Sequence, residues 1–148
     1  MGKIFTIGFT KKTAEKFFLL LERNNVDVVI DVRLNNTSQL AGFSKYPDIE
    51  FFLKRLVGTD YIHDEKLSPT SQILSDYKKR MISWDEYVKQ FNELMHRRDI
   101  KSYIYDKYMF LKDDRVCLLC SEEKPQCCHR SLVAEIFQKV FDGEIIHL

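Results

Sequence analysis

The residues from Arg115 to Phe137, RVCLLCSEEKPQCCHRSLVAEIF, constrain the fold more than any other stretch. Val116, Cys117, Leu118 and Leu119 form a short continuous apolar run, the pattern of a strand buried inside a parallel sheet. A polar segment, Ser121 to Gln126, follows. Leu132, Val133, Ile136, Phe137 and Val140 then recur at helical spacing. Strand, loop and helix in this order predict a βα unit, and open α/β sheets bind ligands outside the carboxyl ends of their strands. Cys120, Glu122, Cys128, His129 and Arg130 therefore fall where such a fold does chemistry.

The first turn of this helix runs against local preference. A helix N-terminus carries partial positive charge and favours Asp or Glu, by roughly 0.3–1 kcal/mol each. Here it carries His129 and Arg130 instead. Concentrated positive field together with free backbone N–H groups makes an anion receptor. The same field favours the ionised form of a nearby thiol, so Cys128 is a candidate nucleophile. The competing structural account has Arg130 paired with Glu122 or Glu123 and the thiols as buried filler.

The remaining chain repeats the alternation of strand and helix. Lys3 to Gly8 reads as a first strand ending in a glycine that lets the chain turn close to a ligand or a helix. Thr10 or Thr13 caps a helix with Ala14, Phe17, Phe18 and Leu21 inward. Val26 to Val32 reads as a second strand, joined to the first by a right-handed parallel crossover. Asp31 and Arg33, two positions apart, lie on one side of the extended chain and either pair internally or face the ligand crevice.

Leu34 to Tyr46 is a long polar loop, which places Ser44 and Lys45 before the next helix. That helix takes Pro47 in its first turn, Ile49, Phe52, Leu53 and Leu56 as its apolar stripe, and Gly58 as its cap. Asp60 to His63 is a short third strand, with His63 near its end. Pro69 opens a helix that turns Ile73, Leu74 and Tyr77 inward, and Ser83 to Glu86 is a capping box for another. Lys78-Lys79-Arg80 and His96-Arg97-Arg98 are basic runs at helix ends, which suit solvated termini and, secondarily, a nucleic-acid backbone beside Tyr103, Tyr105, Tyr108 and Phe110. Ile100 to Lys112 fits either a short helix or aromatic packing. Gly143 ends the last helix, and Glu144 to Leu148 closes the sheet.

With 148 residues and no repeats, low-complexity runs or linkers, the chain is expected to form a single α/β domain over residues 1–148. A net charge of +1 gives no global field for nucleic acid or membrane. No run approaches the ~20 apolar residues of a membrane span, and MGKIFTIGF lacks the pattern of a signal peptide. Met1-Gly2 is a formal myristoylation start, although Gly2 leads straight into a strand. Neither the dinucleotide nor the P-loop glycine motif occurs, which weighs against common NAD- and ATP-dependent enzymes. The four cysteines, all between positions 117 and 128, read as thiols of a cytoplasmic protein.

Zinc is the alternative for these cysteines. Cys117 and Cys120 lie an odd number apart, so in a strand they point to opposite faces, with Cα atoms roughly 10 Å apart at ~3.3 Å per residue. A zinc–thiolate bond of ~2.3 Å does not gather both. Only a partial set, Cys120, Cys128 and His129, stays available, and no metal or other cofactor is expected.

Several of these motifs occur together. Thr6-Ile7-Gly8, Asp31-Val32-Arg33, and Cys120-Ser121-Glu122 followed by Cys128-His129-Arg130 resemble the DUF488 family. The loop LNNTSQLAGFSK and the later LSPT resemble one of its subgroups. The resemblance implies an α/β, three-layer Rossmann-like fold with a small, mainly parallel sheet and these motifs gathered at one edge. It implies no activity. It marks Gly8, Asp31, Arg33, Ser44, Lys45, Cys120, Glu122, Cys128, His129 and Arg130, and leaves Cys117 and Cys127 outside the pattern.

The functional expectation is an enzyme for a phosphorylated or otherwise anionic small molecule, with nucleotide or nucleic acid as secondary candidates. Cys128 or Cys120 is the nucleophile, His129 or His63 the acid–base partner, and Glu122 or Asp31 the orienting group or an alternative general base. Gly8, Arg33, Ser44, Lys45, His63 and Arg130 are assigned to substrate binding. A non-catalytic nucleotide or nucleic-acid binder is the second reading and a structural zinc domain the third.

Overall fold

The computed structural model describes residues 2–148; Met1, half of the formal acylation start, lies outside them. Among the described residues, five strands pair into one all-parallel sheet: β1 (Lys3–Gly8), β2 (Val28–Asp31), β3 (Asp60–His63), β4 (Arg115–Cys120) and β5 (Glu144–His147). Their order is β3-β2-β4-β1-β5. The helices are α1 (Ala14–Arg23), α2 (Asp48–Phe52), α3 (Ser71–Lys78), α4 (Trp84–Arg97), α5 (Ile100–Tyr108) and α6 (His129–Phe141). This is a three-layer, Rossmann-like α/β fold.

Alternation along the strands sorts the core into two layers. Phe5, Ile7, Val29, Cys117 and Leu119 pack against Phe17, Phe18 and Leu21 of α1 and Ile49 of α2. On the other face Ile4, Val28, Ile30, Val116, Leu118 and Cys120 pack against α3 to α6, through residues such as Ile73, Phe91, Ile104 and Phe137. Cys117 and Cys120 thus face opposite ways, as their odd spacing requires.

The layering follows from topology. Connections of constant hand place helices on one face when the chain steps one way along the sheet and on the other face when it steps back. The steps β1 to β2 and β2 to β3 run in one direction and carry α1 and α2; the steps to β4 and then β5 run in the other and carry α3 to α6. The direction reverses after β3, so the neighbouring strands β2 and β4 send the connections that follow them to opposite faces. The seam between them is the topological switch point, where an open α/β sheet leaves a crevice at its carboxyl ends.

Several boundaries differ from those read in the sequence. The second strand is shorter, Val28–Asp31 rather than Val26–Val32. Thr70, not Pro69, begins the third helix: its hydroxyl accepts from the Ile73 N–H, and Pro69 lies one residue before the cap. The helix after Pro47 loosens into a π-type turn over Leu53–Val57, which rotates Leu56 off the apolar stripe and leaves it exposed. Asp142, rather than Gly143, takes the left-handed position that ends α6 (φ 55°), which Asp tolerates better than most residues. The aromatic stretch after Ile100 is a helix followed by a 3₁₀ turn.

Candidate functional site

At the seam, the end of β4 delivers Cys120 and the N-terminus of α6 delivers Cys128 and His129. Cys128 is the N-cap residue, with extended backbone (φ −134°, ψ 136°). Its side chain is therefore free of the helix and turns toward β4. All three side chains are buried, and Cys120 Sγ, Cys128 Sγ and a ring nitrogen of His129 lie within 4.8 Å of one another.

The tautomer of His129 follows from its partner. Its Nε2 lies 2.7 Å from the carbonyl oxygen of Val32, just past β2. A carbonyl only accepts, so Nε2 carries the proton and the neutral ring keeps its lone pair on Nδ1. Cys120 Sγ lies beside the ring, 3.5 Å from Nδ1 and 3.9 Å from Nε2, off the axis of the Nδ1 lone pair. A nucleophile, a base beside it, and a third group fixing that base are the parts of an activated thiol, and a turn of the Cys120 side chain would align them. The fixing group is a backbone carbonyl, not the Glu122 or Asp31 carboxylate expected from sequence.

The two thiols divide their roles. The Cys128 thiol donates to Cys120 and, with the Ser121 N–H and the buried charge of Arg130, outweighs burial and moves Cys120 below the usual thiol range. Cys128, as the donor in that pair and itself desolvated, is pushed well up. Cys117, buried in the opposite layer, is pushed up by desolvation. Cys120 is thus the thiol best prepared to ionise.

These groups floor a cavity of about 370 Å³, within the range of small-molecule sites. One wall is aromatic: Trp84 stacks on Tyr87 (5.0 Å between centroids, 15° between planes), and Tyr77 lies tilted against both. Arg33, Lys78 and Arg80 supply cations, and Glu122 and Cys127 complete the lining near the loop. A concave aromatic wall, three cations and the start of a 13-residue helix suit a flat or apolar group bearing negative charge.

The sequence matches the family described as Domain of unknown function DUF488 over residues 13–137. The chain belongs to the DUF488 family. No curated protein and no solved structure matches it significantly.

In this DUF488 protein the residues singled out from sequence separate into those that face the cavity and those that build it. Cys120, Glu122, Cys128, His129 and Arg33 line it. Asp31 is buried behind Arg33: its two oxygens accept from Arg33 Nε and Nη2, each at 2.8 Å, and one also accepts from the Tyr61 hydroxyl. Burial alone lowers the Arg33 pKa, but the Asp31 pair outweighs it and moves the group upward. Ser44, also buried, accepts from Arg33 through both its hydroxyl and its carbonyl. Both alternatives for the Asp31–Arg33 spacing are therefore realised, since the pair is internal and its cation reaches the crevice.

Arg130 is fully buried and serves the loop. Its guanidinium donates to the backbone carbonyls of Glu122 and Glu123, not to their carboxylates. Gly8 lies against the same strand of backbone; a Cβ there would run into the Glu122 carbonyl. Lys45 pairs with Asp48 at 3.3 Å and does not line the cavity. His63 donates through Nε2 to the Arg33 carbonyl (2.7 Å) and faces a separate hollow with Asn36, Tyr46 and Tyr61.

Sequence reasoning missed the aromatic wall and the place of Lys78 and Arg80 beside it. The signal was present in Trp84, Tyr87 and Phe91, which repeat at one face of α4 immediately after a helix cap. Read alone, that stripe is indistinguishable from core packing.

Proposed function

We propose that this protein is an enzyme acting on a phosphorylated or otherwise anionic substrate, with Cys120 as nucleophile and His129 as its base. The observation that carries the reading is the Cys120–His129 contact at the floor of a cation-rimmed cavity, with His129 fixed by the Val32 carbonyl. Arg33, Lys78 and Arg80 supply the charge that holds the anion, and Arg33 is preset by Asp31 and Ser44. Cys120 Sγ bonds to the electrophilic atom as its proton passes to Nδ1. The leaving group departs with its electron pair and takes that proton, and water then releases the enzyme. The aromatic wall favours a substrate with a flat ring, a nucleotide among them. Four unpaired cysteines favour a cytoplasmic setting.

The test is a panel of nucleotides and small phosphorylated compounds, read by product formation and by intact-protein mass. Turnover, or an adduct mapped to Cys120, that disappears in Cys120→Ala supports the mechanism. Turnover that survives Cys120→Ala discards it. A second reading, a non-catalytic nucleotide binder, is favoured by the same wall together with Lys78 and Arg80. It predicts nucleotide affinity that survives Cys120→Ala and falls in Arg80→Ala, with no turnover.

A further inference from the structure

We infer that Cys120, Cys128 and His129 bind a zinc ion through two thiolates and Nδ1, leaving the fourth coordination position open to the cavity. The site is argued from geometry independently of the thiol chemistry; its consequence, control of that chemistry, rests on the preceding reading.

The donor set is the one zinc prefers: sulfur and imidazole nitrogen, with no competing carboxylate among the three. With Zn–S near 2.3 Å and Zn–N near 2.0 Å, sulfur and nitrogen ligands of a tetrahedral ion stand about 3.5 Å apart. Cys120 Sγ and His129 Nδ1 stand 3.5 Å apart, and Cys128 Sγ completes a triangle with no side above 4.8 Å; Sγ of Cys120 is also 3.9 Å from Nε2, so Cys120 turns toward the Nδ1 lone pair to share the ion. Moreover, His129 has the outer contact that metal-bound imidazoles use. Its remote nitrogen donates to a carbonyl, which leaves the near nitrogen bare.

The three ligands sit on fixed supports, the end of the central strand and the start of a long helix, so the reorganisation needed is confined to side chains. The earlier objection to zinc concerned Cys117 and Cys120, which do face opposite layers. It does not touch this set, because Cys128 and His129 come from another element. Three protein ligands beside an open cavity describe a reactive or exchangeable site, not a closed structural one.

Zinc binding releases the thiol protons to solvent and draws one lone pair of Cys120 Sγ and the lone pair of His129 Nδ1 onto the ion. The electron pairs left on that sulfur are less nucleophilic, and the imidazole no longer serves as a base. Metal occupancy therefore suppresses covalent chemistry at Cys120, so zinc is a reversible off-state of the same site.

The experiment titrates metal-free protein with zinc against a chromophoric chelator, repeats it with cobalt to read thiolate-to-metal absorption, and measures iodoacetamide labelling of Cys120 with and without zinc. The expected result is one equivalent of zinc, sulfur-to-cobalt absorption, and labelling slowed at least tenfold and restored by chelator. Cys120→Ser and Cys128→Ser weaken binding by more than the 10–100-fold typical of outer contacts, while Cys127→Ser keeps it; circular dichroism verifies that each variant is folded. Absence of stoichiometric zinc while Cys120 labels rapidly overturns the metal site and leaves the thiol mechanism intact. Zinc bound to a protein whose metal-free Cys120 labels no faster than buried Cys117 sustains the site and overturns the mechanism. Binding unchanged in Cys120→Ser, or lost in folded Cys127→Ser, places the metal elsewhere and overturns the proposal.

Discussion

Gly8 and Arg130 show how much of this site is made by residues that do not line the cavity. Both act on one carbonyl, that of Glu122: Gly8 by leaving room for it, Arg130 by donating to it. Gly8→Ala forces a methyl group against backbone, which has no rotamer with which to retreat. We expect a loss of roughly 1–3 kcal/mol, the usual cost of overpacking, seen as a lower urea midpoint at unchanged slope. An unchanged midpoint would mean that the loop from Ser121 yields freely. Asp31 is a further such case. Asp31→Asn removes the charge that sets the Arg33 guanidinium, and we expect weaker anion binding at the cavity with the thiols still able to label. Equal affinity in the variant would show that Ser44 suffices to hold Arg33.

Among the elements, α4 matters most for the shape of the cavity. Ser83 caps it by accepting from the Glu86 N–H at 3.1 Å, and the next residue, Trp84, forms the wall. Ser83→Ala is expected to cost about 1 kcal/mol, as lost N-caps do. Because Trp84 is the single tryptophan, its emission reports the same event by shifting to the red. A melting temperature and emission both unchanged would refute this role.

The strands, the cap at Ser83 and the odd parity of Cys117 and Cys120 were legible in the sequence, because each rests on spacing within one element. The cluster of Cys120, Cys128 and His129 spans two elements but was legible because a short loop joins them and its members lie within ten positions of each other. The orienting role of Val32 was not, because a backbone carbonyl carries no residue signature. Nor was the partnership of α3 and α4 with the cavity, which depends on where two helices pack. The helix α5 was obscured because Tyr103 and Tyr108 are spent on Asp64 instead of forming a plain apolar stripe.

Across the molecule, Asp64 ties the exit of β3 to α5. It is buried, accepts from Tyr103, Tyr108 and Lys107, and caps the Lys66 N–H. Burial raises its pKa, but these donors outweigh burial, and the net shift is downward. A carboxyl held below its unfolded value, about 3.9, adds stability that is complete well above that pH and drains away as pH falls toward the folded value. Thermal melts from neutral to acid pH should therefore show stability declining below about pH 4 in the wild type. Asp64→Asn should start lower at neutral pH and decline less steeply. Parallel curves for the two proteins would exclude the linkage.

The sheet order has a last consequence, for how the chain comes together in time. Its central strand, β4, is the fourth to be synthesised, and it pairs with β1 on one side and β2 on the other. Until Arg115–Cys120 has emerged, the nascent protein holds a gap at its middle, with two apolar edges open to mispairing. A fragment ending before Arg115 should thus be aggregation-prone however well its first helices form, and the pocket can exist only once the last quarter of the polypeptide has slotted home.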